Sequence, residues 1–126
     1  MLSQKDPSVY ALLQKEDKRQ RDTITLIPSE NYASLEVRAT LSSVFTNKYS
    51  EGYSKKRYYQ GNANADGIEL LAIERAKKLF KVPHVNVQPY SGSPANTAVY
   101  FALLNPLKDK IMGLALSSGG HLTHGS

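Results

Sequence analysis

Hydrophobic residues recur at helical spacing in the middle of the chain, and this pattern predicts its clearest helix, from Asp66 to Phe80. The apolar face of that helix comprises Ile68, Leu71, Ala72, Ala76, Leu79 and Phe80. Asp66 and Glu69 have the spacing of a capping box, and Lys77 and Lys78 lie in the last turn, where the helix dipole favours cations.

The N-terminal segment predicts a different kind of helix. Asp6 is a good N-cap and Pro7 suits the first helical position, so we expect a helix that continues to about Arg21. Its apolar residues lie early, at positions 9–13, and residues 15–22 are almost all charged. Such a helix cannot bury a full apolar stripe in its own domain, which predicts an arm that packs on a partner.

Shorter apolar runs predict the remaining elements. We expect strands at residues 24–27, 85–87 and about 110–116, and helices at residues 34–44, with Ser34 as N-cap, and 94–104. A long polar loop, rich in tyrosine and glycine, occupies residues 46–65. This alternation of helices and strands indicates an α/β layered fold.

Composition narrows the class of protein. The chain has 126 residues, 40% of them hydrophobic, which suits one modest domain and argues against disorder. No apolar run reaches the length of roughly 20 residues that a membrane span needs, and no secretory signal is visible. Cysteine is absent, which excludes disulfides and thiolate metal sites and fits a reducing compartment. We expect a cytoplasmic protein without membrane contact; an organellar form stays open.

The net charge of +5 favours anionic partners such as nucleic acid, membrane surfaces or charged metabolites. Much of the excess lies in two clusters, Lys48 with residues 55–57 and Lys77 with Lys78 and Lys81. We interpret the second cluster as a solvated helix face. The first lies among the tyrosines of the loop at 46–65, so a solvated face does not account for it by itself.

The stretch at 86–96 predicts a cup for an anion. A β-branched run leads into Ser91, Gly92, Ser93 and Pro94, and an apolar helix follows. Ser93 suits the N-cap and Pro94 the first helical position, while Gly92 lets a ligand approach the backbone. Free N–H groups, the positive dipole end and two hydroxyls would then face one phosphate. An ordinary capped helix is the alternative.

Three other segments carry polar groups suited to a ligand site. The segment at 26–32 places Ser29, Glu30 and Asn31 after a proline at a strand end, which suits a small polar ligand or a simple turn with a cap. The segment at 49–62 sets Glu51 among tyrosines and cations, where the carboxylate could move a proton or the aromatics could stack on single-stranded nucleic acid.

The segment at 119–126 contains His121 and His124 between glycines. The His-x-x-His spacing is a weak metal signal without a nearby carboxylate or cysteine. A histidine at the C-terminal end of a strand is better interpreted as lining a ligand cleft, because α/β sheets bind ligands there.

Taken together and in order, the segments at 26–32, 49–62, 86–96 and 119–126 resemble the N-terminal part of serine hydroxymethyltransferase. The resemblance covers nearly the whole chain. It implies a pyridoxal-phosphate-dependent enzyme of the aspartate-aminotransferase-like (type I) fold, here the N-terminal arm and an incomplete large domain. It also implies interconversion of serine and glycine with transfer of a one-carbon unit between tetrahydrofolate and 5,10-methylenetetrahydrofolate.

The resemblance further implies cofactor-binding and catalytic roles. Ser91, Gly92 and Ser93 would hold the phosphate of pyridoxal 5'-phosphate, and Tyr49 would reach that phosphate. His121 would stack on the pyridine ring and take part in catalysis. No residue is implied as a metal ligand.

Substrate and folate contacts are implied for a second set of residues. Ser29 would touch the substrate carboxylate, and Glu51 would exchange a proton near the substrate hydroxyl and the folate. Tyr58 and Tyr59 would contact the folate or the substrate. The folate slot would be lined by Leu116, Gly120 and Leu122.

The resemblance divides the chain into residues 1–45, an arm with helices, residues 46–65, an active-site loop offered to a neighbouring subunit, and residues 66–126, the start of the cofactor-binding domain. It implies a homodimer or tetramer with shared active sites, serine, glycine and folate as ligands, and no nucleic acid. The sequence departs from the family at Gln60, where glycine is common, and at residues 107–109, one residue longer than the usual Pro-Gly-Asp turn.

Family members bind the cofactor as a Schiff base on a lysine that lies further along than residue 126. No lysine of this chain has that context, so we expect an N-terminal piece that is inactive alone and folds poorly, because its helices belong against missing strands. The alternative is a non-catalytic truncated module that pairs with full-length subunits.

Overall fold

The computed structural model describes residues 1–124; Gly125 and Ser126, the end of the predicted segment at 119–126, lie outside the described residues. The chain divides into two compact units, Met1–Asn47 and Lys48–Ser126. Each unit is described by itself.

The first unit opens with two helices, α1 at Leu2–Lys5 and α2 at Pro7–Asp22. The Asp6 carboxylate accepts a hydrogen bond from the Val9 N–H at 3.0 Å, which confirms the predicted cap and the Pro7 start of α2. Ion pairs one turn apart hold the charged half of this helix: Arg19 with Glu16, Arg21 with Asp17, and Lys18 with Asp22. The predicted arm is therefore helical along its charged half as well.

Helix α3 spans Leu35–Leu41, and the Ser34 hydroxyl accepts a hydrogen bond from the Val37 N–H at 3.3 Å, as predicted. The helix ends three residues earlier than expected. The Ser42 hydroxyl donates to the Ala39 carbonyl at 3.2 Å and competes with helix continuation. Val44 instead begins a 3-10 helix, Val44–Asn47.

The second unit begins with a small hairpin inside the predicted loop. Strands β1 (Gly52–Tyr53) and β2 (Lys56–Arg57) pair antiparallel, with Gly52 opposite Arg57. Gly52 is required there, since its φ is +101° and a Cβ would lie 2.4 Å from the Lys56 carbonyl oxygen.

Helix α4 spans Ala63–Phe80 and begins before the predicted Asp66. Asn62 precedes it, and its side-chain amide donates to the Tyr59 carbonyl at 2.8 Å. The predicted capping box is wrong: Asp66 and Glu69 bind the hairpin through Arg57 instead. Helix α5 spans Gly92–Leu103, and a second 3-10 helix spans Leu116–Ser118.

The three predicted strands at 24–27, 85–87 and 110–116 are wrong for residues 1–124, where the only paired strands are β1 and β2. A strand exists through hydrogen bonds to a neighbour, and these segments have no neighbour in the described part of the chain. Ile24 and Leu26 are each 88% exposed, and Met112 is 99% exposed.

Among residues 1–124 no hydrophobic side chain is buried, and the buried residue is the polar Asn62. Apolar residues of α5 remain largely in solvent, Phe101 and Leu103 at 72% and 76% exposure. The described fold is thus helix-rich with one two-stranded sheet, which is consistent with an α/β class. It has secondary structure without a hydrophobic core of its own.

Candidate functional site

The anion cup forms at the start of α5, with a register that differs from the prediction. Ser91, not Ser93, is the N-cap, and Gly92 is the first helical residue, so Ser93 and Pro94 occupy the second and third positions. The reason is that Ser91 has an extended backbone, with φ −163° and ψ 174°, and its carbonyl accepts the Ala95 N–H at 3.3 Å. The helix therefore starts two residues earlier.

This register decides which N–H groups an anion can reach. Pro94 has no N–H and the Ala95 N–H is already bonded, which leaves the N–H groups of Gly92 and Ser93 without an acceptor within residues 1–124. Ser91 makes no side-chain capping bond, and a Cβ on Gly92 would meet nothing within 4 Å. Two backbone donors and the serine hydroxyls thus border open space at the positive end of a helix dipole.

The His121 turn lies directly against this cup. The hydroxyls of Ser93 and Thr123 are 2.9 Å apart and share a hydrogen bond. The Thr123 N–H donates to Nδ1 of His121 at 3.1 Å, so the neutral imidazole carries its proton on Nε2. Thr123, which the sequence pattern did not single out, therefore joins the predicted phosphate-binding serine to the predicted ring-stacking histidine.

The two histidines of this turn stack on each other. The rings of His121 and His124 are 5.1 Å apart at 14°, and His124 meets the edge of Tyr100. His121 is exposed to solvent. Within residues 1–124 no group of three or more histidines, cysteines and carboxylates could hold a metal ion.

Gly120 shapes the turn that leads to His121. Its N–H donates to the Ala115 carbonyl at 2.9 Å, and a Cβ there would lie 1.8 Å from the Leu114 carbonyl oxygen. Only glycine fits this close backbone approach. Leu116 and Leu122, the other predicted folate-slot residues, are 55% and 73% exposed.

The loop at 46–65, which we call the tyrosine–glutamate loop, is held by one buried cation. The Arg57 side chain is only 6% exposed and donates to Asp66 and Glu69, both at 2.8 Å. It also donates to the carbonyls of Ser50 and Gly52, at 2.7 and 2.5 Å. These five groups form the Arg57 cluster, which fastens both ends of the hairpin to α4.

Hydrogen bonds and the positive charge of Arg57 keep the carboxylates of Asp66 and Glu69 ionised. Hydrogen bonds from the Lys55 N–H and from Arg57 lower the pKa of Asp66. Burial raises the pKa of Glu69, but hydrogen bonds from Arg57 and Gln88 and the Arg57 charge outweigh it, so that this pKa also lies below its ordinary value. Arg57 is thus committed to its own carboxylates, which removes one cation from any nucleic-acid surface on this loop.

The cluster leaves the predicted catalytic groups of the loop facing solvent. Glu51 is exposed, and its backbone carbonyl accepts the Tyr58 N–H at 3.2 Å. Tyr49 packs edge-on against Tyr59, with ring centroids 5.5 Å apart, while Tyr58 is 78% exposed. The loop therefore has a defined backbone and presents one carboxylate and four phenols outward, those of Tyr49, Tyr53, Tyr58 and Tyr59.

Ser29 belongs to the first unit, in a turn closed by the Glu30 N–H donating to the Ile27 carbonyl at 3.1 Å. A cavity of about 320 Å³ nearby is lined by Glu16, Arg19, Gln20, Thr25, Glu30, Asn31 and Tyr32, without Ser29. Hydrogen bonds from Arg19 and Gln20 lower the pKa of Glu16 to about 2. The predicted polar ligand segment thus borders a charged cavity, and Ser29 stands outside its lining.

Comparison with known proteins decides the family. The serine hydroxymethyltransferase family model matches residues 2–126. The chain belongs to the serine hydroxymethyltransferase family. No helix in residues 1–124 is long and apolar enough to cross a membrane.

Bacterial members of the serine hydroxymethyltransferase family align along nearly the whole chain. The serine hydroxymethyltransferase of Desulfotalea psychrophila is 58% identical over 125 residues, which cover 99% of this chain and 29% of the relative. Those of Acidothermus cellulolyticus and Phytoplasma australiense are 58% and 59% identical over 124 residues, covering 98% of this chain. The chain thus spans less than a third of the length of these relatives.

Proposed function

We propose that the chain is the N-terminal part of a pyridoxal-phosphate-dependent serine hydroxymethyltransferase, which interconverts serine and glycine with tetrahydrofolate and 5,10-methylenetetrahydrofolate. The family match over residues 2–126 carries this proposal. The geometry at the start of α5 supports it, because two backbone donors that bind no acceptor within residues 1–124 border open space there.

The donor set of the anion cup fits a phosphate. Gly92 and Ser93 donate N–H groups, Ser91 and Ser93 add hydroxyls, and the positive end of α5 attracts negative charge. Tyr49 adds a phenol from the neighbouring subunit. Pyridoxal phosphate supplies an electron sink at the substrate α-carbon. His121, pinned by Thr123, presents a flat ring face on which the cofactor ring stacks.

The tyrosine–glutamate loop supplies the proton-handling group. The exposed Glu51 carboxylate gives and takes a proton near the substrate hydroxyl and the folate. Tyr58 and Tyr59 contact the folate or substrate, Ser29 the substrate carboxylate, and Leu116, Gly120 and Leu122 border the folate. The enzyme is a homodimer or tetramer in the cytoplasm, and each subunit offers this loop to its neighbour's site.

A chimera makes the proposal testable at full length. Residues 1–126 replace the corresponding segment of the Desulfotalea psychrophila relative, to which they are 58% identical. We expect the chimera to bind pyridoxal phosphate and to convert serine to glycine. Glu51→Gln should lower turnover with folate roughly 10²- to 10⁴-fold, the usual contribution of a general acid–base group.

Glu74→Gln is the matched control, because Glu74 lies on an exposed face of α4. It should turn over at the rate of the unsubstituted chimera. Cofactor absorbance should be the same in all three proteins. Unchanged turnover in Glu51→Gln would assign the proton role elsewhere, and a chimera that binds no cofactor would overturn the proposed function.

The exposed apolar residues favour a second candidate, a non-catalytic module that pairs with full-length subunits. No hydrophobic side chain is buried among residues 1–124, so the chain offers apolar surface to a partner. Mixed with the Desulfotalea psychrophila enzyme during refolding, the 126-residue chain should form a mixed complex and lower activity. Unaltered oligomer size and activity would rule this candidate out.

A further inference from the structure

Gln88 connects two parts of the second unit that lie far apart in the sequence. Its side-chain amide donates to the Gly52 carbonyl at 3.0 Å and to both carboxylate oxygens of Glu69 at 3.2 Å. Gly52 lies 36 residues away, in the hairpin of the tyrosine–glutamate loop. Gln88 itself lies three residues before Ser91, the N-cap of the anion cup.

The chemistry of these contacts calls for a neutral group with two donors. The Gly52 carbonyl and the Glu69 carboxylate are acceptors only, so the amide nitrogen of Gln88 must face them. A carboxylate at this position would repel Glu69, and an aliphatic side chain would leave the Gly52 carbonyl with the Arg57 bond alone. A second bond, from the Gln88 N–H to the Asn86 side-chain oxygen at 2.9 Å, holds the local backbone.

We propose that Gln88 is a positioning residue that couples the anion cup to the tyrosine–glutamate loop, so that a phosphate seated at the start of α5 orders the loop bearing Glu51. The route is short: phosphate binding restrains residues 91–93, the intervening Pro89 and Tyr90 transmit the restraint, and the Gln88 amide passes it to Gly52 and Glu69. Gly52 directly follows Glu51. This inference rests on the proposed function for the identity of the phosphate ligand.

Coupling of this kind has a consequence for an enzyme with shared sites. The anion cup serves its own subunit, whereas the tyrosine–glutamate loop serves the neighbour. Cofactor bound in one subunit would therefore order the Glu51 loop delivered to the other. The two active sites of a dimer would fill with positive cooperativity, since the first cofactor prepares the second site.

Hydrogen exchange followed by mass spectrometry tests the coupling in the full-length chimera, with pyridoxal phosphate as the probe. In the unsubstituted chimera, removing the cofactor should speed exchange at residues 88–95 and also at residues 49–59. In Gln88→Leu the loop should already exchange about fivefold faster with cofactor bound, and cofactor removal should change only residues 88–95. Gln14→Leu, on the exposed face of α2, is the matched control and should behave like the unsubstituted chimera.

A second variant separates positioning from simple loss of packing. Gln88→Glu keeps the side-chain length, and its carboxyl would face Glu69, which also binds Arg57. At neutral pH the two carboxylates repel and the loop should exchange as in Gln88→Leu. As the pH falls toward 5, a protonated carboxyl regains a donor, and loop protection should recover relative to Gln88→Leu measured at the same pH.

Identical loop exchange in the unsubstituted chimera and Gln88→Leu, with and without cofactor, would overturn the inference. A loop that exchanges faster in Gln88→Leu but ignores the cofactor in every variant would also overturn it, because positioning without coupling is then established. A chimera that never binds pyridoxal phosphate contradicts the proposed function instead. Inorganic phosphate then serves as the probe of the cup, and the same loop comparison decides on Gln88.

Discussion

The Arg57 cluster and helix α5 belong to the same unit but differ in how far their side chains find partners within it. The Arg57 side chain is 6% exposed and each of its partners comes from within 12 residues of it along the chain. Helix α5 has a regular hydrogen-bonded backbone after its first turn, yet Val99, Phe101 and Leu103 remain 50%, 72% and 76% exposed. The polar cluster is complete in this chain, and the apolar helix is not.

The difference shows which interactions a segment can form from its own sequence. A hairpin and the helix that follows it bring opposite charges together over a short loop, at little entropic cost. An apolar helix face is covered only when a second layer packs on it, and the extended segments beside α5 have no strand neighbour within residues 1–124. The loop therefore has a defined structure of its own, while the apolar face of α5 stays uncovered within residues 1–124.

The largest effect is expected from Phe101→Ala, which tests the incomplete region. In the full-length chimera we expect Phe101 to pack into the sheet layer, so its truncation should lower the free energy of unfolding by about 3–5 kcal/mol in urea titrations. In the 126-residue chain the same change should cost no more than about 0.5 kcal/mol. Leu107→Ala, in an exposed turn, is the control, and it should change the free energy of unfolding little in either protein. If Phe101→Ala lowers the free energy of unfolding equally in both proteins, α5 is no more covered in the chimera than in the 126-residue chain.

Arg57→Met tests the complete region. Removing the guanidinium leaves Asp66 and Glu69 facing each other without a cation and frees the hairpin from α4. Turnover of the chimera should fall about 100-fold, because displacement of a catalytic group by about 1 Å has that effect. Arg21→Met breaks the exposed ion pair with Asp17 and should leave turnover within twofold. Turnover that survives Arg57→Met would show that the cluster does not position Glu51.

As the pH falls, the ion pairs of the Arg57 cluster should break at a higher pH than the one at which helix α5 is affected. Hydrogen bonds from Lys55 and Arg57 lower the folded-state pKa of Asp66, and those from Arg57 and Gln88 outweigh burial and lower that of Glu69. A carboxylate whose folded-state pKa is lowered contributes its full stabilisation of the folded state above its ordinary pKa, which is 3.8 for Asp66 and 4.5 for Glu69. It loses that contribution as the pH falls through the lower folded-state pKa.

Near-ultraviolet circular dichroism of the tyrosines measures this transition. The signal from the Tyr49–Tyr59 pair should be constant from neutral pH to about pH 5 and decline below about pH 4. Asp66→Asn should shift the decline to higher pH, since Glu69 then holds Arg57 alone. A signal that is flat down to pH 2 in both proteins would mean that these carboxylates do not hold the loop.

The smallest effect is expected from Leu107→Gly, beside α5. Leu107 has φ +66° and is fully exposed, in a turn where the Asp109 carboxylate accepts the Asn105 N–H at 2.7 Å. A left-handed backbone costs a non-glycine residue about 1 kcal/mol, so glycine should raise the stability of the chimera by about 0.5–1 kcal/mol. Lys108→Gly, at a residue with negative φ, should not raise the stability of the chimera. A gain in stability from both substitutions would indicate a general effect of glycine in this turn.

Sequence reasoning predicted those elements that depend on neighbouring residues. The Asp6 and Ser34 caps, the extent of α2 and the C-terminal end of α4 follow from side chains within one turn. The α5 register was wrong because Ser91 and Ser93 are both good caps, and backbone conformation at Ser91 decided between them. The strands failed because pairing depends on residues distant in the chain.

The Arg57 cluster was also missed, although its signal is present. Asp66 and Glu69 are three residues apart on one helix face, close in sequence to a basic hairpin, and this pattern suits an ion-pair hub as well as a capping box. Nothing in the local pattern at Gln88 or Thr123 marks their contacts, since each binds a residue 30 or more positions away. Long-range polar contacts of this kind can be recognised only in the folded structure.

The uncovered face of α5 has a cellular consequence. Protein quality control recognises stretches of unshielded aliphatic and aromatic side chains, and the segment from Val99 to Leu103 is one. While this segment is uncovered, we expect chaperones to bind it. A chain in which it stays uncovered should be degraded, so its abundance in a cell should depend on whatever covers α5.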